Sequence, residues 1–154
     1  IRDSVASRGL GDVYKRQVYE PVETVPTDSP FLFSWENIQK ALENVEQDQK
    51  GSYGKRVELG SPALKSIGLH MHRLEGGTKT NEIKTTANQI FCVVEGYGTT
   101  FIDGHKFSWG RGDVVAIPGW HPYSHHIKQD ATLFEMSDEP IMQALGWLRH
   151  SVGS

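Results

Sequence analysis

Cysteine is almost absent from this 154-residue sequence, which has Cys92 alone. No disulfide can form within the chain, and the fold has to be held by its core. The thiol lies in the apolar run Ile90 to Val94 with no cationic neighbour in sequence, which predicts an inert strand residue and not a nucleophile. A reducing, cytoplasmic setting is the expectation that follows. Long apolar runs are missing too: none approaches the ~18 residues of a membrane-spanning helix. Neither sign of charge dominates, since 16 Lys and Arg stand against 19 Asp and Glu, for a net charge of -3. The cations are scattered singly and make no basic stripe for phosphates, which argues against nucleic acid as a partner. No segment repeats another at a fixed period, so a solenoid is excluded. An initiating methionine is also absent, and the expectation is a fragment of a longer gene product.

Residues 1–17 show no amphipathic period, and the string Val5 to Gln17 looks like translated adapter sequence. The segment is read as a non-native extension and set aside. Roughly 135 residues remain, enough for one domain with a real core. Residues 18–33 carry Pro21, Pro26 and Pro30 and read as an extended linker. The domain is assigned to residues 34–150, with a tail at 151–154.

Inside those limits the pattern predicts helix, barrel, helix. Ser34 is placed to cap a first helix in which Ile38, Ala41, Leu42 and Val45 fall at i, i+3, i+4 and i+7. The polar stretch Gln47 to Gly54 reads as a loop. From Ser66 onward, short strands recur between turns about every ten residues, the rhythm of a mainly β sandwich or jelly-roll barrel. They are placed near Ile67–Leu74, Gln89–Glu95, Thr99–Ile102, His105–Trp109, Val114–Ile117, Tyr123–Ile127 and Ala131–Glu135. Asp103-Gly104 is the clearest two-residue hairpin turn, and Gly96 with Gly98 marks another bend. Ser137-Asp138-Glu139-Pro140 starts a second helix, with Ile141, Ala144, Leu145 and Leu148 as its apolar face.

Glycine and proline spacing carries a more specific signal. Gly77 and Gly96, followed by Gly112 and Pro118, fit the ruler G-x5-H-x-H-x3-E-x6-G and G-x5-P-x-G-x2-H, and on it the sequence resembles a cupin. A cupin of this pattern is a double-stranded β-helix holding a divalent metal on three imidazoles and a carboxylate. Here the four ligand slots fall on Ile83, Thr85, Gln89 and Tyr123, and Trp120 takes the place of the second glycine. Isoleucine has no lone pair to give, and hydroxyl, amide and neutral phenol are weak ligands. No catalytic, cofactor-binding or metal-binding residue is assigned.

The runs Cys92 to Gly98, Asp113 to Trp120 with Tyr123 and His125, and Leu133 to Pro140 leading to Ala144-Leu145-Gly146 narrow the resemblance. Together with the Phe31 to Trp35 entry, they resemble the C-terminal cupin of gentisate 1,2-dioxygenases and of their relatives acting on 1-hydroxy-2-naphthoate and salicylate. That resemblance implies a bicupin whose N-terminal half, absent here, binds Fe(II) on three histidines and opens the aromatic ring. It implies that this half is metal-free and supports packing and assembly of a homo-oligomer. The alternative is a free-standing cupin that binds a small aromatic acid as sensor or carrier.

Other residue groups compete for attention. His70 and His72 share a strand face, as His121, Tyr123 and His125 do if their segment is extended. A displaced metal site on His70, His72 and His125 is the weaker alternative; their position upstream of Gly77 points the first two away from the usual centre or to another level of the barrel. They are therefore read as hydrogen-bonded strand or interface histidines. His105 and His150 read as surface residues. Trp109, Trp120, Trp147, Phe91, Phe101, Phe107 and Phe134 read as core before pocket. Arg73 and Arg111 read as solvated, although a guanidinium could clamp a carboxylate.

Overall fold

The computed structural model describes residues 23–25, 29–60 and 64–153. The expected extension at 1–17 lies outside them, as do residues 18–22 and 26–28 of the linker and Ser154 of the tail. The elements in chain order are β1 (Glu23–Thr24), α1 (Trp35–Asn44), β2 (Lys55–Leu59), β3 (Gly68–Leu74), β4 (Ile83–Thr85), β5 (Gln89–Ile102), β6 (His105–Gly110), β7 (Val114–Ile117), β8 (Tyr123–Ser137), α2 (Glu139–Ala144) and β9 (His150–Val152).

Two long strands form the spine. β5 pairs antiparallel with β8 from Gln89↔Ser137 to Ile102↔Tyr123. The other edge of β5 carries β7 and then β6. The C-terminal half of β8 pairs with β3, and β3 with β2. Its first residue pairs with β4, which holds β9 at the margin. The result is one curled nine-stranded sheet with an enclosed face. Sequence pattern breaks β5 and β8 into two strands each, with a bend at Gly96 and Gly98. The structure instead keeps both strands continuous. The residue pairing slips between Val93 and Gly98, so the extra residues are absorbed as bulges and the sheet bends without ending. Gly96 takes φ +83° there.

The Asp103-Gly104 hairpin is as expected, with φ +50° and +77°. β2, β4 and β9 were not read from sequence. Residues 151 and 152, read as tail, are part of β9, which pairs with β4. In the span read as linker, Glu23–Thr24 pairs parallel with β2, and Val25 is buried.

Alternation assigns the two faces of the sheet. On β2, Val57 and Leu59 face α1; on β3, Met71 does. They close a core with Val25, Ile38, Ala41 and Leu42. The enclosed face is packed by Leu74, Ile83, Phe91, Val93, Trp109, Ile117, Tyr123, Ile127, Ala131 and Leu133. On these strands the intervening residues, Arg56 on β2 and His70 and His72 on β3, belong to that inner face.

Helix α1 begins where Ser34 accepts a hydrogen bond from the Asn37 amide at 3.3 Å. Ser34→Ala should cost about 1 kcal/mol in a denaturation experiment, since one of the first-turn amides then loses its acceptor. Helix α2 is only six residues, with Glu139 and Pro140 in its first turn. Of its expected apolar face, Leu148 is buried beyond the helix end, while Ile141 and Leu145 remain exposed.

Candidate functional site

All four ligand slots point inward: Ile83, Thr85, Gln89 and Tyr123 are each 3% exposed or less. Ile83 and Tyr123 are directly paired across β4 and β8. Their donor set is one hydrocarbon, one hydroxyl, one amide and one phenol, which does not fit Fe(II). Burial first, then the fields of Tyr53 and Glu135, push the Tyr123 phenol well above its ordinary value, so it stays protonated and a poor anionic ligand. Trp120, standing where the ruler has glycine, adopts the left-handed φ of +66°. Its amide donates to the Thr85 carbonyl at 2.5 Å, and the Lys84 ammonium lies 4.8 Å from its ring centre.

The polar centre of the interior lies on other residues. Glu135, with no exposed surface, is the hub. Its Oε2 accepts from His72 Nε2 at 2.6 Å and from Arg56 Nη2 at 3.3 Å, and its Oε1 accepts from the Gln89 amide at 2.9 Å. Arg56 Nη2 also donates to His70 Nδ1 at 3.1 Å and lies 3.7 Å from Glu139 Oε2. The guanidinium carbon stands 4.7 Å from the Tyr53 ring centre. His72 Nδ1 faces the Tyr53 carbonyl at 3.2 Å.

Sequence placed His70 and His72 either away from the usual centre or at another level of the barrel, and the structure has both buried on its inner face. Glu135 joins His72 directly to the Gln89 slot, and Phe91 lies 5.7 Å from the His72 ring and 6.0 Å from that of Tyr123. His125 is on the same inner face, 5.5 Å from Tyr123. Its Nδ1 meets Thr100 Oγ1 at 2.8 Å, and that oxygen also accepts from Trp109 Nε1 at 2.8 Å. The hydroxyl's own proton is best used on His125 Nδ1, leaving Nε2 as an N–H donor without a partner. Gln89 Oε1 and Arg56 Nε are likewise buried without partners. His150, read as a surface residue, turns its Nε2 inward, while His105 is exposed as expected.

The charges of this interior are arranged around one ion pair. Burial alone would raise the Glu135 carboxyl, but Arg56 and the hydrogen bond from His72 outweigh it and hold the group well below its ordinary range. Burial and then Arg56 push His70 down to about 3, and burial and then His72 do the same to His125. Burial, followed by Arg56, takes His150 to about 4. Burial lifts Glu139 to about 7.

These shifts predict a pH dependence. The three lowered histidines contribute stability in full above their ordinary value of 6.5 and lose it as pH falls toward 4 and then 3. Glu139 works oppositely: its contribution is complete below 4.5 and is lost as pH rises through about 7. Three groups outweigh one, so the urea midpoint should fall steadily from pH 6.5 to pH 4, with a shallower slope in His125→Phe. A midpoint that holds or rises on acidification would contradict the buried neutral histidines.

Among the expected aromatics, Phe91 and Trp109 are core, whereas Trp120, Trp147 and Phe107 are exposed. Phe107, Trp109, Ile102, Val114 and Val115 do line a groove of about 460 Å³. Among the described residues that line it, Asp113 is the only charged one, the wrong sign for an aromatic carboxylate. Arg111 is exposed and Arg73 half-buried; the arginine that matters is Arg56, which was missed together with Glu135 and Glu139. The available signals were the alternation Arg56-Val57-Glu58-Leu59 and an acid set between Phe134 and Met136.

Comparison with known proteins adds relatives. A gentisate 1,2-dioxygenase from Streptomyces sp is 30% identical over 133 residues, 79% of this chain and 37% of the relative. A 5-aminosalicylate 1,2-dioxygenase from Comamonas sp is 34% identical over 163 residues, 96% of this chain and 43% of the relative. The chain thus spans less than half the length of these curated relatives. No family model matches. Among solved structures, a salicylate 1,2-dioxygenase from Pseudaminobacter salicylatoxidans superposes with a TM-score of 0.72 at 25% identity, covering 78% of this chain and 38% of that one. A cupin-2 protein from Rhodospirillum rubrum has a TM-score of 0.51 at 16% identity, covering 54% and 57%, a likeness of fold alone.

Proposed function

We propose, from the premise that this chain is a cupin homologous to one part of the gentisate-type ring-cleaving dioxygenases, that it is the non-catalytic, metal-free half of such an enzyme. Its work is structural. It packs against an N-terminal cupin that carries Fe(II) and the chemistry, and it supports a homo-oligomer in the cytoplasm. Among the described residues no helix is long and apolar enough to cross a membrane.

The observation that carries this reading is the inward-facing quartet Ile83, Thr85, Gln89 and Tyr123. A ring-opening iron centre needs protein ligands together with vacant neighbouring positions, so that substrate and dioxygen meet on one ion. These four side chains supply no such set. The carrier or sensor alternative draws no support from the groove beside β6 and β7, for the reason of charge given above.

The test compares the isolated chain with the complete gene product for oxygen consumption with gentisate, salicylate and 5-aminosalicylate under added Fe(II). Turnover by the complete product and none by the chain is expected. Ring opening by the chain alone would refute the assignment. Tyr123→His by itself should leave iron binding unchanged, because Ile83 and Thr85 still give nothing; metal analysis of that variant checks it.

A further inference from the structure

Helix α2 is attached to the barrel by an acid. Its buried residue is Glu139, whereas Ile141 and Leu145 at its other face and end are exposed. A six-residue helix is not stable alone and depends on what it buries. What it buries here is a carboxyl that the interior does not solvate: Oε1 is buried without a partner, and Oε2 lies 3.7 Å from Arg56 Nη2, beyond hydrogen-bond length. Glu135 has the stronger hold on that guanidinium, at 3.3 Å, and takes further hydrogen bonds from His72 and Gln89. One cation cannot neutralise two buried carboxylates, and the one without donors keeps its proton.

The surrounding groups supply no second cation near neutral pH. His70 of β3 and His150 of β9 are pushed down to about 3 and about 4, first by burial and then by Arg56, and burial pushes Tyr53 up to about 12. Glu58, paired with His70 across β2 and β3, adds only negative charge. Asp138 turns to Asn88 instead, whose backbone and side-chain amides donate to it at 2.7 and 2.6 Å. That contact tethers the start of α2. Beyond its end, the Thr86 hydroxyl donates to the Trp147 carbonyl and accepts from the Arg149 amide, both at 2.9 Å. Between the tethers Gly146 turns the chain at φ +70° with open space around it.

We propose that Glu139 is a proton-operated latch: as the neutral acid it seats α2 in the barrel wall, and as the carboxylate, with Arg56 already held by Glu135, it leaves the interior and frees the helix between its two tethers. Burial lifts this carboxyl from 4.5 to about 7. A raised value means that seating is fully supported below 4.5 and that the support is lost as pH rises through about 7. The buried histidines act in the opposite direction on the barrel as a whole, so helix and core should respond to pH with opposite signs.

Hydrogen exchange of the 154-residue chain tests this, with the intrinsic exchange rate divided out at each pH. The Met142 and Leu145 amides, bonded to the Asp138 and Ile141 carbonyls, report on α2. Their opening constant should grow at least about 10-fold between pH 5 and pH 7 and level off above that, while amides of the β5–β8 ladder become no less protected. Glu139→Gln, neutral at every pH, should abolish the rise. Should that variant not fold, the carboxyl-carbon shift of Glu139 in wild type decides: its midpoint should lie at least about one unit above 4.5, and the Met142 and Leu145 amide shifts should follow the same curve. A flat wild-type response, an equal rise in Glu139→Gln, α2 amides that open only together with the ladder, or a midpoint at the ordinary value would each overturn the latch.

Discussion

Glu135→Ala is expected to destabilise the chain by about 3–5 kcal/mol, seen as a large fall in the urea midpoint at pH 7. The carboxylate has no exposed surface and takes hydrogen bonds from three side chains. Its removal leaves the Arg56 guanidinium without its main counter-charge, and breaking a buried pair on one side costs more than removing both partners. Arg56→Met with Glu135→Gln should therefore be milder than Glu135→Ala, since no lone charge is left and Gln89 and His72 keep a neutral partner. A single substitution that costs less than about 1 kcal/mol would mean that the ion pair is not the centre of this interior.

Gly96→Ala should be more damaging still, exceeding about 4 kcal/mol and abolishing recovery of folded protein. Gly96 sits in the β5 bulge at φ +83°, and a Cβ there would press on the backbone of Asp130 and lie 2.6 Å from the Ala131 Cα. Left-handed strain of about 1–2 kcal/mol is thus added to a clash between the two spine strands, which cannot move apart without losing the ladder. Gly77, the other end of the same sequence ruler, makes the control. It has φ +86° but open space around it, so Gly77→Ala should cost only about 1–2 kcal/mol. Parallel thermal melts and yields separate the two; equal effects would contradict the packing argument.

Asp103-Gly104, the Ser34 cap and the apolar periodicity of α1 are local, and local rules recovered them. The slot quartet was readable because glycine and proline set the count, and it does face inward as a group. β5 and β8 were cut in two because Gly96 and Gly98 look like a turn, whereas a bulge lets a strand bend and continue. β4 and β9 are three residues each, too short for a period to register, and both are held by non-local pairing.

The polar centre was missed for a different reason. Arg56, Glu135 and Glu139 look like surface charges when each is read alone, because charged residues are rarely buried unless paired. Their pairing spans 79 residues between Arg56 and Glu135. It could be seen only after the face of β2 had been fixed. His70 and His72 were correctly placed on one strand face, but their depth in the barrel depends on the curl of β3 against β8, which sequence spacing does not encode.

Metal content of the purified wild-type chain, expressed with abundant iron and measured against protein concentration, tests the central claim most directly. Iron, manganese and zinc should all be far below one ion per chain, and substitution of Gln89 or Tyr123 should change nothing. One tightly held ion per chain that disappears with Gln89→Ala or Tyr123→Phe would contradict the account.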